Sequence, residues 1–266
     1  MSSPLALPLP WNLVAAAYAA EILPQFELYA QDALRLAGVQ AGQRVADVAC
    51  GPGTLALLAA RQGAKVQALD FAEEMVQHLQ QSSRKQGLEI EAVQGDGQAL
   101  PWPDHQVDAS FSMFGLIFFP DRVQGLRELA RVTRPGGRLV VASWVPMEEI
   151  PAFAALFAAL GEALPGLPLG GNRAPMTEEA SIQAELAEAG LPAATIHRVT
   201  HGIVAPSAEE FWASMERTLA PVVLLRHSLG DEWPALATRI RAGLLQRLGT
   251  GEVRVPMTAL LSLVQV

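Results

Sequence analysis

Three aspartates stand at corresponding places in the first half of the chain, each in or just after a short apolar segment. Asp47 lies within Val45-Ala46-Asp47-Val48, Asp70 closes segment 65–70, and Asp96 closes segment 90–96. If these segments are parallel strands, their carboxyl ends meet at one edge of a sheet and the carboxylates form a row. Such a row can accept hydrogen bonds from an amine, from the hydroxyls of a ribose and from an adenine amino group. It suits a ligand without phosphates, because carboxylates repel a pyrophosphate.

Each aspartate alone also has an ordinary structural interpretation. Aspartate at a strand end often caps a helix or forms a turn. The combination of three such residues with a glycine-rich turn favours the ligand-binding interpretation.

The glycine-rich turn is Cys50-Gly51-Pro52-Gly53-Thr54, within a predicted strand–loop–helix segment at 44–60. Glycines let the backbone approach a ligand closely, and the following helix presents free N–H groups. Gly51-x-Gly53-x-x-Ala56 also fits the dinucleotide fingerprint, so a nicotinamide-dependent oxidoreductase is an alternative. Asp47 and Asp96 disfavour it, as does the absence of a Tyr-x-x-x-Lys pair from the sequence.

The elements that must position these residues alternate between strand and helix. The apolar patterns predict strands at 44–49, 65–70, 90–96, 107–113, 138–144, 194–204 and 253–266. They predict helices at 11–37 (with Pro24 as a break), 54–62, 72–86, 122–133, 150–164, 178–189, 209–227 and 233–248, and a Pro- and Gly-rich loop at 164–175. This alternation predicts a parallel sheet with right-handed crossovers.

Composition limits the function classes. The chain has 266 residues, a net charge of −8 and 50% hydrophobic residues, which suits one α/β domain with an elaboration and disfavours nucleic-acid partners. One cysteine, Cys50, can form neither a disulfide framework nor a cysteine zinc site, and we predict no metal site. The apolar runs are interrupted before 18 residues and no signal-peptide pattern opens the chain, so we expect a cytoplasmic protein without integral membrane contact.

The residues around the glycine turn resemble the class I S-adenosylmethionine-dependent methyltransferases, specifically the ubiquinone/menaquinone-biosynthesis-like (methyltransferase type 11) group. The family's acid-x-Gly-x-Gly-x-Gly motif matches 47–53, and its later motifs match 68–71, 95–101 and 131–138. The resemblance covers roughly residues 30–145. Ala49 departs from it, because it replaces the first glycine of the motif.

This resemblance implies an α/β, Rossmann-like, seven-stranded and mostly parallel sheet of order 3-2-1-4-5-7-6, with an antiparallel last strand, helices on both faces and an inserted helical lid. It implies an N-terminal helical lid at 1–30 and a methyltransferase domain at 31–266, whose helical insertion at about 207–249 contributes to the substrate pocket. S-adenosyl-L-methionine is the implied cofactor. The implied cofactor-binding residues are Asp47, Ala49, Gly51, Gly53, Asp70, Phe71, Met75, Asp96, Gly97, Gln98 and Phe114.

Methyl transfer from a sulfonium is an in-line displacement, in which the protein mainly aligns the nucleophile and excludes water. A general base is optional, and we name His201, beside Gly202, as the candidate. The aromatic content near the ends of strands four and five suggests a small apolar or aromatic acceptor, methylated on oxygen, nitrogen or carbon. The expected substrate-binding residues are Tyr18, Trp144, Trp212, Met215 and Arg217.

Two questions stay open at this level. A protein with the same cofactor site could carry out a non-methylating reaction or no catalysis, because methyl transfer requires no signature base. The chain could be a monomer or a homodimer, since its apolar C-terminal strand and lid helices could form either a core or an interface.

Overall fold

The computed structural model describes residues 3–165 and 176–266. Most of the Pro- and Gly-rich loop expected at 164–175 therefore lies outside the described residues. Seven strands form one sheet of order β3-β2-β1-β4-β5-β7-β6, as predicted. The strands are β1 Arg44–Val48, β2 Lys65–Asp70, β3 Ile90–Gln94, β4 Val107–Met113, β5 Thr133–Trp144, β6 Thr195–Ala205 and β7 Val253–Gln265.

Strands β1 to β5 run parallel, and β7 is antiparallel to both β5 and β6. The central strands are short and buried on both faces, as expected for a parallel sheet covered by helices. The carboxyl ends of β1, β2 and β4 therefore meet at one edge. That edge carries the glycine turn and the predicted carboxylates.

Helices pack on both faces of the sheet and form two main cores. Leu55 and Val66 belong to the core on one face, and Leu126 and Leu139 to the core on the other. The helices are α1 Pro8–Ala17, α2 Leu23–Ala37, α3 Thr54–Arg61, α4 Glu73–Gln86, α5 Arg122–Val132, α6 Pro151–Ala163, α7 Glu179–Glu188, α8 Ala208–Thr218, α9 Ala220–Leu229 and α10 Trp233–Leu248. No helix in the described part of the chain has the length and apolar character needed to cross a membrane.

The expected break at Pro24 is not present. A single π-helical segment, Tyr18–Ile22, joins α1 to α2, so the chain continues as one helical stretch. Pro24 occupies the first turn of α2, where a missing N–H is tolerated. The helical stretch thus crosses residue 30, the predicted boundary of the N-terminal lid.

The prediction of a single helix at 209–227 is wrong. Leu219 has extended backbone angles and separates α8 from α9. Pro221 lies in the first turn of α9 and cannot donate the hydrogen bond that a continuous helix would need there. The break turns the chain at a point where Leu219, Ala220 and Pro221 all face the cavity described below.

Two helical segments cover the carboxyl edge of the sheet. The first is α1, whose Val14 and Ala15 pack against Ala72 and Met75 on the β2–α4 side. The second is the insertion α8–α10, which follows β6 and precedes β7. They meet through Ala220 of α9, which joins the same small core as α1.

Candidate active site

A single cavity of about 950 Å³ runs along the carboxyl edge of the sheet, beneath α1, α2, α8 and α9. One end is formed by the glycine turn and the ends of β2 and β3. The other end is formed by aromatic and methionine side chains from β5, α6, α8 and β7. The cavity therefore joins a polar end to an apolar end without a wall between them.

Asp47 lines the polar end and is almost fully buried, with 1% of its surface exposed. Its Oδ2 accepts a hydrogen bond from the Ala56 amide in the first turn of α3, at 3.0 Å. Its Oδ1 is buried and has no hydrogen-bond partner among residues 3–165 and 176–266. Burial raises the pKa of Asp47 to about 7. A cationic group in the cavity would satisfy the free oxygen and favour the carboxylate.

Asp70 fixes the glycine turn from the end of β2. Its Oδ2 accepts the Gly51 amide at 2.8 Å and its Oδ1 accepts the Ala72 amide at 2.9 Å. Burial raises the pKa of Asp70 to about 6. Each carboxylate oxygen can accept a further hydrogen bond, and Asp70 lines the cavity, so a ligand hydroxyl could donate to it.

Tyr18 lies in the π-helical segment above Asp70 and also lines the cavity. Burial, and then the charge of Asp70, raise its pKa well above the usual range for a phenol. The hydroxyl is therefore neutral at physiological pH and can donate a hydrogen bond. Burial likewise raises the pKa of the Cys50 thiol, so this side chain is not a thiolate nucleophile.

The glycine turn has left-handed backbone angles at Ala49, Gly51 and Gly53, with φ values of 56°, 55° and 96°. Alanine tolerates this region only with a steric cost, which glycine avoids. At Gly53 the requirement is also one of space, because a Cβ there would lie 2.3 Å from Leu79 Cδ1 of α4. The turn thus exposes its backbone toward the cavity while α3 and α4 pack closely behind it.

Asp96 follows β3 and lines the same polar end, but it is exposed. Its Oδ1 accepts the Gln98 amide at 2.8 Å and so closes a local turn. Asp96 therefore both stabilises a turn and lines the cavity. Gln98 is held in turn by the Asp121 amide, which donates to its Oε1 at 2.8 Å.

The apolar end begins at an aromatic cluster. Phe114, with a left-handed φ of 63°, stacks on Trp144 at the end of β5, with ring centroids 4.0 Å apart. Phe26 of α2 contacts both rings, at 5.1 and 5.5 Å. Beyond the cluster the cavity is lined by Met147, Phe153, Phe157, Phe211, Met215 and Met257.

An ion pair joins the N-terminal helices to the insertion across the cavity. Arg217 of α8 donates to both carboxylate oxygens of Glu21, at 2.6 and 3.1 Å, and Ser214 donates to the same carboxylate at 2.8 Å. Hydrogen bonding from Arg217 holds the pKa of Glu21 below its usual range. All three residues line the cavity, and the charges of Glu21 and Arg217 compensate each other there.

Comparison with known proteins gives a family match over part of the chain. Residues 46–141 match the family described as methyltransferase domain. A demethylmenaquinone methyltransferase of Thermus thermophilus is 36% identical over 140 residues, covering 47% of this chain and 64% of that protein. These matches support a methyltransferase domain of the class I S-adenosylmethionine-dependent type over residues 46–141.

Another relative matches a shorter stretch of the chain. An uncharacterized protein of Mycobacterium tuberculosis is 42% identical over 108 residues, covering 41% of this chain and 39% of the relative. The chain thus spans less than two thirds of the length of the curated relatives it matches. These matches support S-adenosylmethionine as the cofactor and give no support to a nicotinamide oxidoreductase.

Solved structures show the same fold. A SAM-dependent methyltransferase from Aquifex aeolicus has a TM-score of 0.50 and 24% identity, with 66% of this chain and 85% of that chain covered. The 4+2 cyclase SpnF has a TM-score of 0.56 and 18% identity, with 90% and 80% covered. The class I methyltransferase fold thus also occurs in a structure named as a cyclase.

Most of the sequence-predicted site residues lie together in this cavity. The cavity is lined by Asp47, Ala49, Gly51, Asp70, Phe71, Met75, Asp96, Gly97, Gln98, Phe114, Tyr18, Trp144, Met215 and Arg217. The backbone of Gly97 packs tightly against Phe119, because a Cβ at this position would lie 2.3 Å from the Phe119 ring. Their roles toward a ligand remain proposals.

Three predicted residues do not line the cavity. Gly53 lies behind the turn against Leu79. Trp212 is rotated away from the cavity face of α8 and stacks near Trp233 of α10, with centroids 6.3 Å apart. His201 bonds through Nε2 to Asp32 of α2, at 2.8 Å. Neither Trp212 nor His201 is placed to contact an acceptor there.

Sequence reasoning missed two polar residues on the cavity face of the N-terminal helices, Glu21 and Gln25. A signal for them was present. Glu21 is the first charged residue of the chain, and Gln25 follows it by one helical turn. They lie on the face that also carries Tyr18 and Phe26, so the helical period groups them.

Proposed function

We propose that this chain is an S-adenosylmethionine-dependent methyltransferase that acts on a small apolar or aromatic acceptor. The observation that carries the proposal is the continuity of the cavity. Its polar end holds buried carboxylates on the strand ends, and its apolar end begins at the stacked rings of Phe114 and Trp144. A donor site and an acceptor site are thus adjacent in one enclosed space.

The residues of the polar end fit the cofactor. The unpartnered Oδ1 of Asp47 suits an ammonium, and the lone pairs of Asp70 suit ribose hydroxyls. Phe71 and Met75 supply apolar contacts beside Asp70, and Asp96, Gly97 and Gln98 form the wall expected for an adenine. Phe114 stands where the polar end meets the apolar end.

S-adenosylmethionine, when bound, supplies a methyl group already activated on a sulfonium. The protein's part is then to align the acceptor and to exclude water. The helices α1, α2, α8 and α9 cover the carboxyl edge of the sheet, and the Glu21–Arg217 pair links them across it. No side chain has to be covalently modified for this chemistry, and the neutral Cys50 thiol is consistent with that.

The nature of the acceptor end supports an apolar or aromatic acceptor. Its walls are largely Phe, Trp and Met side chains, and methionine adapts to irregular apolar ligands. Two of the ionic side chains that line it, Glu21 and Arg217, are paired with each other, and Glu210 of α8 is exposed. We place no preference on oxygen, nitrogen or carbon as the methylated atom.

The test has two parts. Isothermal titration calorimetry with S-adenosylmethionine, S-adenosylhomocysteine and NAD measures which cofactor binds, and we expect binding of the first two only. Release of S-adenosylhomocysteine is then measured with a panel of phenols, amines and carboxylates. Tight NAD binding without S-adenosylmethionine binding would overturn the proposal.

The second candidate is a non-methylating reaction in the same cavity. The SpnF structure, named as a cyclase, has this fold. Methyl transfer does not require a general base, so the sequence contains no residue that distinguishes the two reactions. The panel separates the two candidates, because only methyl transfer converts S-adenosylmethionine to S-adenosylhomocysteine.

A further inference from the structure

Two buried oxygen atoms facing this cavity have no hydrogen-bond partner within the described residues. One is Asp47 Oδ1 at the polar end, which the proposed function assigns to the cofactor's ammonium. The other is Oε1 of Gln25, on the first turns of α2. Buried carbonyl oxygens are nearly always paired, so an unpaired one facing a cavity calls for a donor from a ligand.

Gln25 lines the cavity one helical turn after Glu21, whose carboxylate pairs with Arg217 of α8. It follows Ile22 and immediately precedes Phe26, and all three residues line the space. Phe26 contacts Phe114 and Trp144, the stacked pair at which the apolar end begins. The amide therefore introduces one polar group beside an aromatic surface.

The chemistry of the site limits what the donor can be. An amide oxygen is a neutral acceptor, and the carboxylate of Glu21, one helical turn away, is already paired with Arg217 and hydrogen-bonded by Ser214. That pairing gives a cation beside Gln25 little to gain from Glu21, and an anion would bring no proton to donate. A neutral hydroxyl on an apolar ring system meets both the amide and the aromatic wall.

We propose that Gln25 is a specificity residue whose side-chain oxygen accepts a hydrogen bond from a hydroxyl group on a neutral, ring-containing acceptor. This inference rests on the proposed function, since it assumes that the apolar end holds the acceptor. It narrows the acceptor class from apolar or aromatic molecules to hydroxylated ones. It assigns Gln25 no part in binding the cofactor.

The test compares two probes that differ in one hydroxyl, 2-naphthol and naphthalene. Their affinities are measured by equilibrium dialysis against the full chain, with and without saturating S-adenosylhomocysteine. We expect the wild type to bind 2-naphthol about tenfold more tightly than naphthalene, the ratio expected from one hydrogen bond. Gln25→Leu should lose this ratio, and Gln25→Met, which keeps an unbranched side chain, should lose it as well.

Gln106→Leu is the matched control. Gln106 also has a buried Oε1 without a partner, but it precedes β4 and does not line the cavity. We expect this variant to keep the wild-type ratio. Equal affinities of the two probes in the wild type, or a ratio that survives both Gln25 variants, would overturn the inference.

The result also separates this inference from the proposed function. Calorimetry with S-adenosylhomocysteine tests the cofactor site, and neither Gln25 variant should change that affinity. A loss of S-adenosylhomocysteine affinity in Gln25→Leu, with the 2-naphthol ratio intact, would assign Gln25 to the cofactor and overturn the inference. Failure of the wild type to bind S-adenosylhomocysteine would instead overturn the proposed function.

Discussion

Gly115 lies directly against Ala49. A Cβ added at Gly115 would stand 2.3 Å from the Cβ of Ala49 and 3.2 Å from its carbonyl oxygen. Ala49 occupies the position at which the family motif has its first glycine, and it keeps a left-handed φ of 56°. The methyl group of Ala49 therefore fills the space that the missing side chain of Gly115 leaves.

The two positions should be coupled in stability. We expect Gly115→Ala to lower the free energy of unfolding by about 2 kcal/mol, the cost of overpacking a closed site. In an Ala49→Gly background the same change should cost less than about 1 kcal/mol, because the clashing methyl is gone. Urea unfolding of the four proteins in this double-mutant cycle measures the coupling. Additive effects of the two changes would contradict the contact.

Asp70 should contribute to cofactor affinity. We expect Asp70→Ala to weaken binding of S-adenosylmethionine by about 1–3 kcal/mol, the loss of charge-assisted hydrogen bonds. Calorimetry measures this directly. The variant should also unfold more easily, since Asp70 accepts the amides of Gly51 and Ala72.

Asp108→Ala controls for that structural loss. Asp108 accepts a backbone amide too, from Arg44 at 2.8 Å, but it lies at the opposite end of the sheet. We expect it to lower stability without changing cofactor affinity. Equal affinity losses in both variants would mean that Asp70 acts only through folding.

Much of the fold followed from the sequence because local patterns and the sheet agree. The strands β2 and β4 were predicted to the residue, since β4 alternates apolar and polar residues from Val107 to Met113 and β2 lies between Gly63 and the turn after Asp70. The row of carboxylates followed from the same logic, because parallel strands bring their ends together. The glycine turn needed no tertiary information.

Other parts of the site depend on packing that no local pattern records. Phe211 and Trp212 are adjacent and both buried in α8, but only Phe211 lines the cavity, whereas Trp212 packs toward Trp233 of α10. His201 pairs with Asp32, which is 169 residues away in sequence. Whether a side chain faces the cavity was therefore predictable for residues at the strand ends and much less so for residues of the inserted helices.

The Glu21–Arg217 pair should hold the helical cover closed with little effect on global stability. Both side chains are partly exposed, and such pairs contribute at most about 1 kcal/mol. We expect Arg217→Leu to speed amide hydrogen exchange in α1 and the π-helical segment. Arg241→Leu breaks the Arg241–Glu209 pair, which lies outside the cavity, and should leave that exchange unchanged. Faster exchange in both variants would indicate a general loosening of the insertion.

His201 should act in packing. Its ring bonds to Asp32 and contacts the ring of Tyr29, with centroids 4.7 Å apart. We expect His201→Ala to lower the unfolding free energy by about 1 kcal/mol, the loss of one hydrogen bond. Turnover with any acceptor that the panel identifies should be unchanged. A large loss of turnover at unchanged stability would instead restore the base role first assigned to this residue.

Asp47 should make the ligand-free protein less stable as pH rises. Burial raises its pKa from 3.8 to about 7, so the folded protein keeps a proton that the unfolded chain has released. Stability from this group is therefore fully present below the unfolded pKa and is lost as pH rises toward the folded one. The slope is about 1.4 kcal/mol per pH unit within that window.

Asp47→Asn removes this titration and isolates the effect. The variant should gain stability relative to the wild type as pH rises from about 4 to about 7, with no further gain above that. Asp70 has the same sign, with a pKa of about 6, but it is present in both proteins and largely cancels in the difference. Urea unfolding across this pH range measures the gain, and a difference that is constant with pH would contradict it. The same variant should bind S-adenosylmethionine more weakly, because an amide cannot neutralise an ammonium. Replacing this one buried carboxylate should therefore raise the stability of the ligand-free protein and lower its affinity for the cofactor.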